Sequence, residues 1–191
     1  MNKEFYIRNR RNFINEMKDN SIAVFFSGTY LRDTCDQYIY PFSVDRNFYY
    51  LTGIDRENMI LVISKLDNVA SESLYIPPVD ELYEKWNAVF MRDYEAKEKS
   101  GIINVQYLEY FEKDLSKKMF YDMTVENVYI FSHYTDLEEF ENLNRRFAKK
   151  IRTQFPTINI LNSLSIMTKL RNVKTEEEIL EIKKAVDLTN D

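Results

Sequence analysis

One cysteine, Cys35, leaves no partner for an intrachain disulfide, and a reducing, cytoplasmic setting is the simple expectation. One histidine, His133, cannot assemble a zinc site with Cys35 alone, and no His-x-x-x-His pair exists. Glycine is nearly as scarce, at Gly28, Gly53 and Gly101 only. Phosphate-cradling loops need glycines in close register, so neither G-x-x-x-x-G-K nor G-x-G-x-x-G can be written here. No apolar run approaches the ~20 residues of a helical bilayer span. The N-terminus, Met1-Asn2-Lys3-Glu4-Phe5-Tyr6-Ile7-Arg8, has no apolar signal core and no small-residue cleavage site, so no secretory leader is expected. Positive charge is in deficit: 26 Lys and Arg stand against 31 Asp and Glu, a net charge of −5. Nucleic-acid binding draws on a concentrated positive surface that displaces counterions from phosphates, and this balance argues against it.

What is present is an ordinary globular composition, 45% hydrophobic and 30% charged over 191 residues. That is enough for one sizeable α/β core, or for one domain and the start of another. Apolar runs at Ser21 to Phe26, Met59 to Ile63, Ser73 to Ile76, Val105 to Leu108, Asn127 to Phe131 and Thr157 to Leu161 read as strands. The aromatic run Phe48 to Thr52, closed by Gly53, reads as a further strand. Pro77-Pro78 stops the third run, because proline cannot donate to a ladder. Helical spacing is read over residues 3–18, Asp80 to Ala88, Asp93 to Lys99, Tyr110 to Met119, Leu137 to Arg152 and Ser163 to Arg171. Residues 29–44 read as a long loop. Thr175-x-x-Glu178 is a capping box that opens a last helix with Ile179, Ile182 and Val186 on one face. Strands alternating with helices predict a sheet covered by helices.

Few side chains invite a chemical reading. His133 comes after a predicted strand, a usable catalytic position, but no nucleophile elbow stands near it, and a surface-loop histidine is the default. Cys35 is flanked by Asp33 and Asp36, whose charges raise a thiol pKa, the wrong direction for a nucleophile. Asp33, Asp36, Asp45 and Asp55 could be drawn as a magnesium site, yet a solvated acidic loop region is the plainer reading. Trp86 stands alone in a charged segment; a core or boundary aromatic is its plain reading.

Two segments carry more information than the rest. One is Asp45-Arg46-Asn47-Phe48-Tyr49-Tyr50-Leu51-Thr52-Gly53-Ile54; the other is Lys169-Leu170-Arg171-Asn172-Val173-Lys174-Thr175-Glu176-Glu177-Glu178-Ile179. With the Met59 to Ile63 strand, Pro77-Pro78 and Trp86 between them, the chain resembles the N-terminal domain of Xaa-Pro aminopeptidases (aminopeptidase P) and their prolidase and creatinase relatives. The likeness runs from about Phe5 to the end. Where relatives carry Arg-Gln and an acid before the aromatic run, this chain has Ser43-Val44 and Asn47. Where they carry Trp-x-Gly, it has Trp86-Asn87-Ala88.

The resemblance implies a three-layer α/β fold with a mixed sheet flanked by helices, of the creatinase or ribonuclease-H-like kind, over residues 1–162. Residues 163–191 would then be a linker helix and the first helix of an absent pita-bread catalytic domain. It implies a cytoplasmic, homo-oligomeric metallopeptidase acting on proline-containing peptides, with no nucleic-acid or membrane partner. Two aspartates, one histidine and two glutamates would hold two divalent ions, often manganese, all outside these 191 residues. Trp86 would reach the mouth of an active site, commonly a neighbouring subunit's, as a substrate-access residue. The alternatives are a Xaa-Pro dipeptidase, a creatinase-like amidinohydrolase, or a stand-alone dimerisation module.

Overall fold

Ser21–Phe26 is buried over its first five residues, and a strand buried on both faces belongs at the centre of a sheet. The computed structural model places it there, and describes residues 1–30, 41–85, 89–121, 124–132 and 142–190. In chain order the elements are α1 (Lys3–Glu16), β1 (Ser21–Phe26), α2 (Arg46–Thr52), β2 (Ile60–Leu66), β3 (Val69–Ile76), α3 (Glu81–Glu84), α4 (Asp93–Ser100) and β4 (Val105–Tyr107). Next come α5 (Phe111–Tyr121), β5 (Asn127–Ile130), α6 (Leu143–Gln154), β6 (Asn159–Asn162), α7 (Leu164–Asn172) and α8 (Glu176–Asn190). The strands form one six-stranded sheet in the order β4-β3-β2-β1-β5-β6. The β1–β2 and β2–β3 pairs are antiparallel; β3–β4, β1–β5 and β5–β6 are parallel.

The two-residue period of the strands divides the core into two layers. Ala23 and Phe25, Leu61 and Ile63, Leu74 and Ile76, and Tyr129 point to one face, where Phe5, Phe13, Phe48, Leu51 and Met167 of α1, α2 and α7 meet them. Ile22 and Val24, Val62, Tyr75, Val128 and Ile130 point to the other, against Phe111, Leu115 and Met119 of α5 and Phe147 and Ile151 of α6. The three-layer mixed α/β architecture expected from the sequence is the one observed.

Several elements depart from the sequence reading. Phe48 to Thr52 is not a strand but most of α2. Asp45 accepts from the backbone N–H groups of Asn47 and Phe48, both at 2.9 Å, and so nucleates a helical turn. Gly53 ends it at φ 71°, where a Cβ would also run into the Tyr6 ring. β-propensity of the aromatic residues is a packing preference and yields to these caps. The runs Met59 to Ile63 and Ser73 to Ile76 are the ends of one hairpin. Its turn is Asp67-Asn68, both at positive φ (49° and 60°), which matches the right-handed strand twist without glycine. Of the helix read over Asp80 to Ala88, one turn is described, Glu81–Glu84, and residues 86–88 lie outside the described residues. The helix read from Leu137 is described from Leu143, capped by Asn142, whose side chain accepts from the Arg145 N–H.

Candidate functional site

Of the side chains singled out for chemistry, the structure describes Asp45 and Asp55. Cys35, His133, Asp33, Asp36 and Trp86 lie outside the described residues. Asp55 is exposed. Asp45 is not a solvated acid but the largely shielded cap of α2, and burial raises its carboxyl pKa despite two backbone donors and nearby Arg171. Among the described residues no group of three or more His, Cys, Asp or Glu is placed to hold a metal ion. Among them, too, no helix is long and apolar enough to cross a membrane.

What the fold does bring together are the two informative segments. α2 lies on one face of the sheet with its C-terminal carbonyls turned to α1. Asn9 Nδ2 donates to Tyr50 O at 2.9 Å, and Arg10 Nη1 donates to Leu51 O at 2.7 Å. A cation at a helix C-terminus meets both an unpaired carbonyl and the negative end of the helix dipole. Arg10 is itself fully buried and pairs through Nε with Glu72 of β3 at 2.8 Å. Burial lowers its pKa from the ordinary value, partly opposed by Glu72.

α7 comes directly after β6 and buries Ile166 and Met167 against the α1–α2 face. Its last turn meets α2 directly. Arg171 Nη1 donates to Asn47 Oδ1 at 2.7 Å, across 124 residues of sequence. The Tyr50 hydroxyl donates to Leu170 O at 3.3 Å. Lys169 pairs with Glu16 of α1 at 2.7 Å. Beyond the turn, the capping box forms as written: Thr175 N–H donates to Glu178 Oε2 at 2.9 Å and Glu178 N–H to Thr175 Oγ1 at 3.3 Å. Glu177 pairs with Arg8 of α1, whose guanidinium also lies 5.3 Å from the Phe5 ring centre.

These elements enclose a cleft of about 420 Å³ lined by Phe5, Tyr6, Tyr49, Tyr50, Arg171 and Glu178 among others. The Tyr6 hydroxyl is held neutral well above its ordinary pKa, first by burial and then by its hydrogen bond with Tyr49. Tyr50 is shifted up chiefly by burial as well. Among the described residues that line the cleft, none is arranged as a nucleophile with a base. From the cleft α8 runs outward. Ile179, Ile182 and Val186 are 40%, 49% and 51% exposed, so the apolar stripe read from the sequence has little of this domain against it.

The sequence reading missed Asn9, Arg10, Asn47 and Arg171 as working groups. Arg171 and Asn47 lie inside the two informative segments, but nothing in either segment says that they meet.

Fold and seam define a class: an α/β sandwich whose C-terminal helical arm is clamped at its root and stands clear of the sheet. The family model described as "Aminopeptidase P, N-terminal domain" matches residues 6–129, and the chain belongs to that family. The Xaa-Pro aminopeptidase of Haemophilus influenzae is 30% identical over 115 residues, 60% of this chain and 26% of that protein. A Bacillus anthracis structure assigned to aminopeptidase P superposes with a TM-score of 0.92 at 36% identity, covering 96% of this chain and 43% of that one. The Escherichia coli aminopeptidase P, at 19% identity and a TM-score of 0.74 over 94% of this chain and 41% of its own, shares the fold. The chain thus spans less than half the length of these relatives and matches their N-terminal part.

Proposed function

We propose that this chain is the non-catalytic N-terminal domain of a metal-dependent Xaa-Pro aminopeptidase, serving assembly and substrate access in the hydrolysis of an N-terminal residue preceding proline. The observation that carries the reading is the 96% coverage of this chain by the Bacillus anthracis aminopeptidase P fold at 36% identity. In this proposal residues 1–162 are the domain proper, and 163–191 are the linker helix and the first helix of a catalytic region. The outward apolar stripe of α8 supports that division, because an amphipathic helix without a covering partner exposes what it is built to bury.

The catalytic region would hold two divalent ions, with manganese the proposed metal, to generate a hydroxide that attacks the scissile carbonyl. In this proposal the ligands of those ions belong to the catalytic region; among the described residues no group of three or more His, Cys, Asp or Glu is placed to hold a metal ion. The protein is proposed to be cytoplasmic and homo-oligomeric, with Trp86 as a substrate-access residue.

The test uses the full-length protein supplied with manganese, and measures release of the first residue from an Xaa-Pro-Xaa peptide beside an Xaa-Ala-Xaa control and an Xaa-Pro dipeptide. Proline-dependent cleavage of the tripeptide supports the reading. Cleavage of the dipeptide alone makes the protein a dipeptidase, and cleavage without proline preference overturns the proposal.

A further inference from the structure

Only three residues, Val173, Lys174 and Thr175, separate the end of α7 from the start of α8. Val173 is 79% exposed, so apolar packing does not fix this turn. Beyond Glu178 every described side chain of α8 is exposed. The direction of α8 is therefore set by polar contacts at its root. The Arg8–Glu177 pair is open to water on both sides, at 44% and 47% exposure, and solvent screens such pairs strongly. The Arg171 contact differs. Its acceptor Asn47 is buried in the first turn of α2, and Arg171 also lies in the field of the shielded Asp45 carboxylate. The backbone carbonyl of Arg171 accepts from Lys174 Nζ, so one residue ties the α2 root to the interhelical turn. A planar guanidinium fixed by a buried acceptor transmits an orientation that a flexible ammonium does not.

We infer that Arg171 is a positioning residue: through Asn47 it sets the direction in which α8 leaves the domain, and thereby the placement of the catalytic region beyond α8. The first part stands on the geometry alone; the second rests on the proposed peptidase reading. A buried hydrogen bond at the root of a lever costs little to keep and much to lose, because misplacing a catalytic region by about 1 Å lowers rate on the order of 100-fold.

The geometric part is tested in the 191-residue chain by nitroxide distance measurement. Labels are placed at Val69→Cys on β3 and Leu188→Cys on α8, both strongly exposed, in a Cys35→Ser background. The parent should give one narrow distance distribution. Arg171→Ala and Asn47→Ala should each broaden it with the β-sheet circular dichroism intact, and Asn47→Asp, which keeps an acceptor oxygen, should restore it. A distribution as narrow in both alanine variants as in the parent overturns the inference, and so does breadth in Asn47→Asp equal to that in Asn47→Ala. Should Arg171→Ala not fold, Asn47→Ala decides alone.

The second part is read in the full-length protein as kcat and KM on an Xaa-Pro peptide. Arg171→Ala should lower kcat by about 10–100-fold with KM nearly unchanged, and Asn47→Asp should stay near the parent. Parent-level kcat in Arg171→Ala overturns it. A parent that cleaves no Xaa-Pro peptide overturns the peptidase reading instead, and the distance measurement still decides the role of Arg171.

Discussion

Removing residues 175–191 should cost this chain little stability. Among the described residues, the deleted segment, essentially α8, contributes no buried side chain to either core layer. Among the described residues its ties to the body are one exposed ion pair, Arg8–Glu177, and the influence of Glu178 and Glu181 on Tyr50 and Tyr6. An exposed pair contributes about 0.2–1 kcal/mol. The capping box and the Lys184–Glu181 pair lie within the segment and vanish with it. α8 is held at its capped root, and no buried side chain couples the rest of it to the core, so it adds little to the cooperative transition. The expected loss is about 1 kcal/mol, a melting-temperature drop of about 2–4 °C for a domain of this size. The assay is thermal unfolding of the full and shortened chains, monitored by circular dichroism at matched concentration. Sedimentation velocity run beside it should show less self-association in the shortened chain, since the apolar stripe of Ile179, Ile182 and Val186 is gone. A loss above about 3 kcal/mol is the size of a fully buried large side chain. It would show that α8 packs on the domain, and the reasoning from exposure would fail.

Gly53→Ala should destabilise by about 2–4 kcal/mol in chemical denaturation, because the residue is at positive φ and a Cβ meets the Tyr6 ring; a change below about 1 kcal/mol would refute that close approach. Arg10→Ala should cost about 3–5 kcal/mol, since it strands Leu51 O and leaves Glu72 without its partner, and a near-neutral result would show the pair is dispensable. Burial raises the Asp45 pKa above its ordinary 3.8, so the folded state holds that proton more tightly than the unfolded chain does, and the contribution falls as pH rises from about 3.8 through the raised value. The stability of the parent minus that of Asp45→Asn should therefore decrease as pH rises across that window; a rising difference would show the backbone donors outweigh burial. In the full-length protein, Trp86→Ala should lower kcat/KM for longer peptides by about 1–3 kcal/mol in transition-state binding. Full activity with about 3–5 kcal/mol of lost stability would instead place Trp86 in the core.

The strands were legible because the sheet is buried on both faces, and such strands are written as unbroken apolar runs such as Ser21 to Phe26. The last helix was legible because its cap is local: Thr175 and Glu178 satisfy each other's backbone donors three residues apart. α2 was misread because its aromatic content suits a strand, while the deciding signal, Asp45 ahead of two free N–H groups, is a single residue. The Asp67-Asn68 turn escaped for a similar reason, since neither residue is glycine although both adopt positive φ. The seam was the least legible part. Asn47 and Arg171 meet only because β6 places the root of α7 beside α2, and no periodicity within either segment encodes that encounter.

The two segments that carried the family resemblance are also the two that the fold presses together, and their composition explains why they stand out. Each gives one side to the apolar core, Phe48 and Leu51 from the first and Leu170 at the edge of the second. A core of that kind accepts many apolar substitutions of similar volume, so it leaves only a loose pattern in sequence. The other side is a set of one-to-one polar partners: Asp45 with two backbone amides, Asn47 with Arg171, Tyr50 with Leu170 O, and Thr175 with Glu178. A buried or half-buried hydrogen bond has no near-equivalent, because losing one member leaves the other unsatisfied at a cost of about 1–3 kcal/mol. Such positions call for a particular donor or acceptor rather than for an apolar volume. The seam between α2 and the root of α8 is therefore held by specific polar pairs rather than by interchangeable apolar volume, and the orientation of the arm beyond it is decided there.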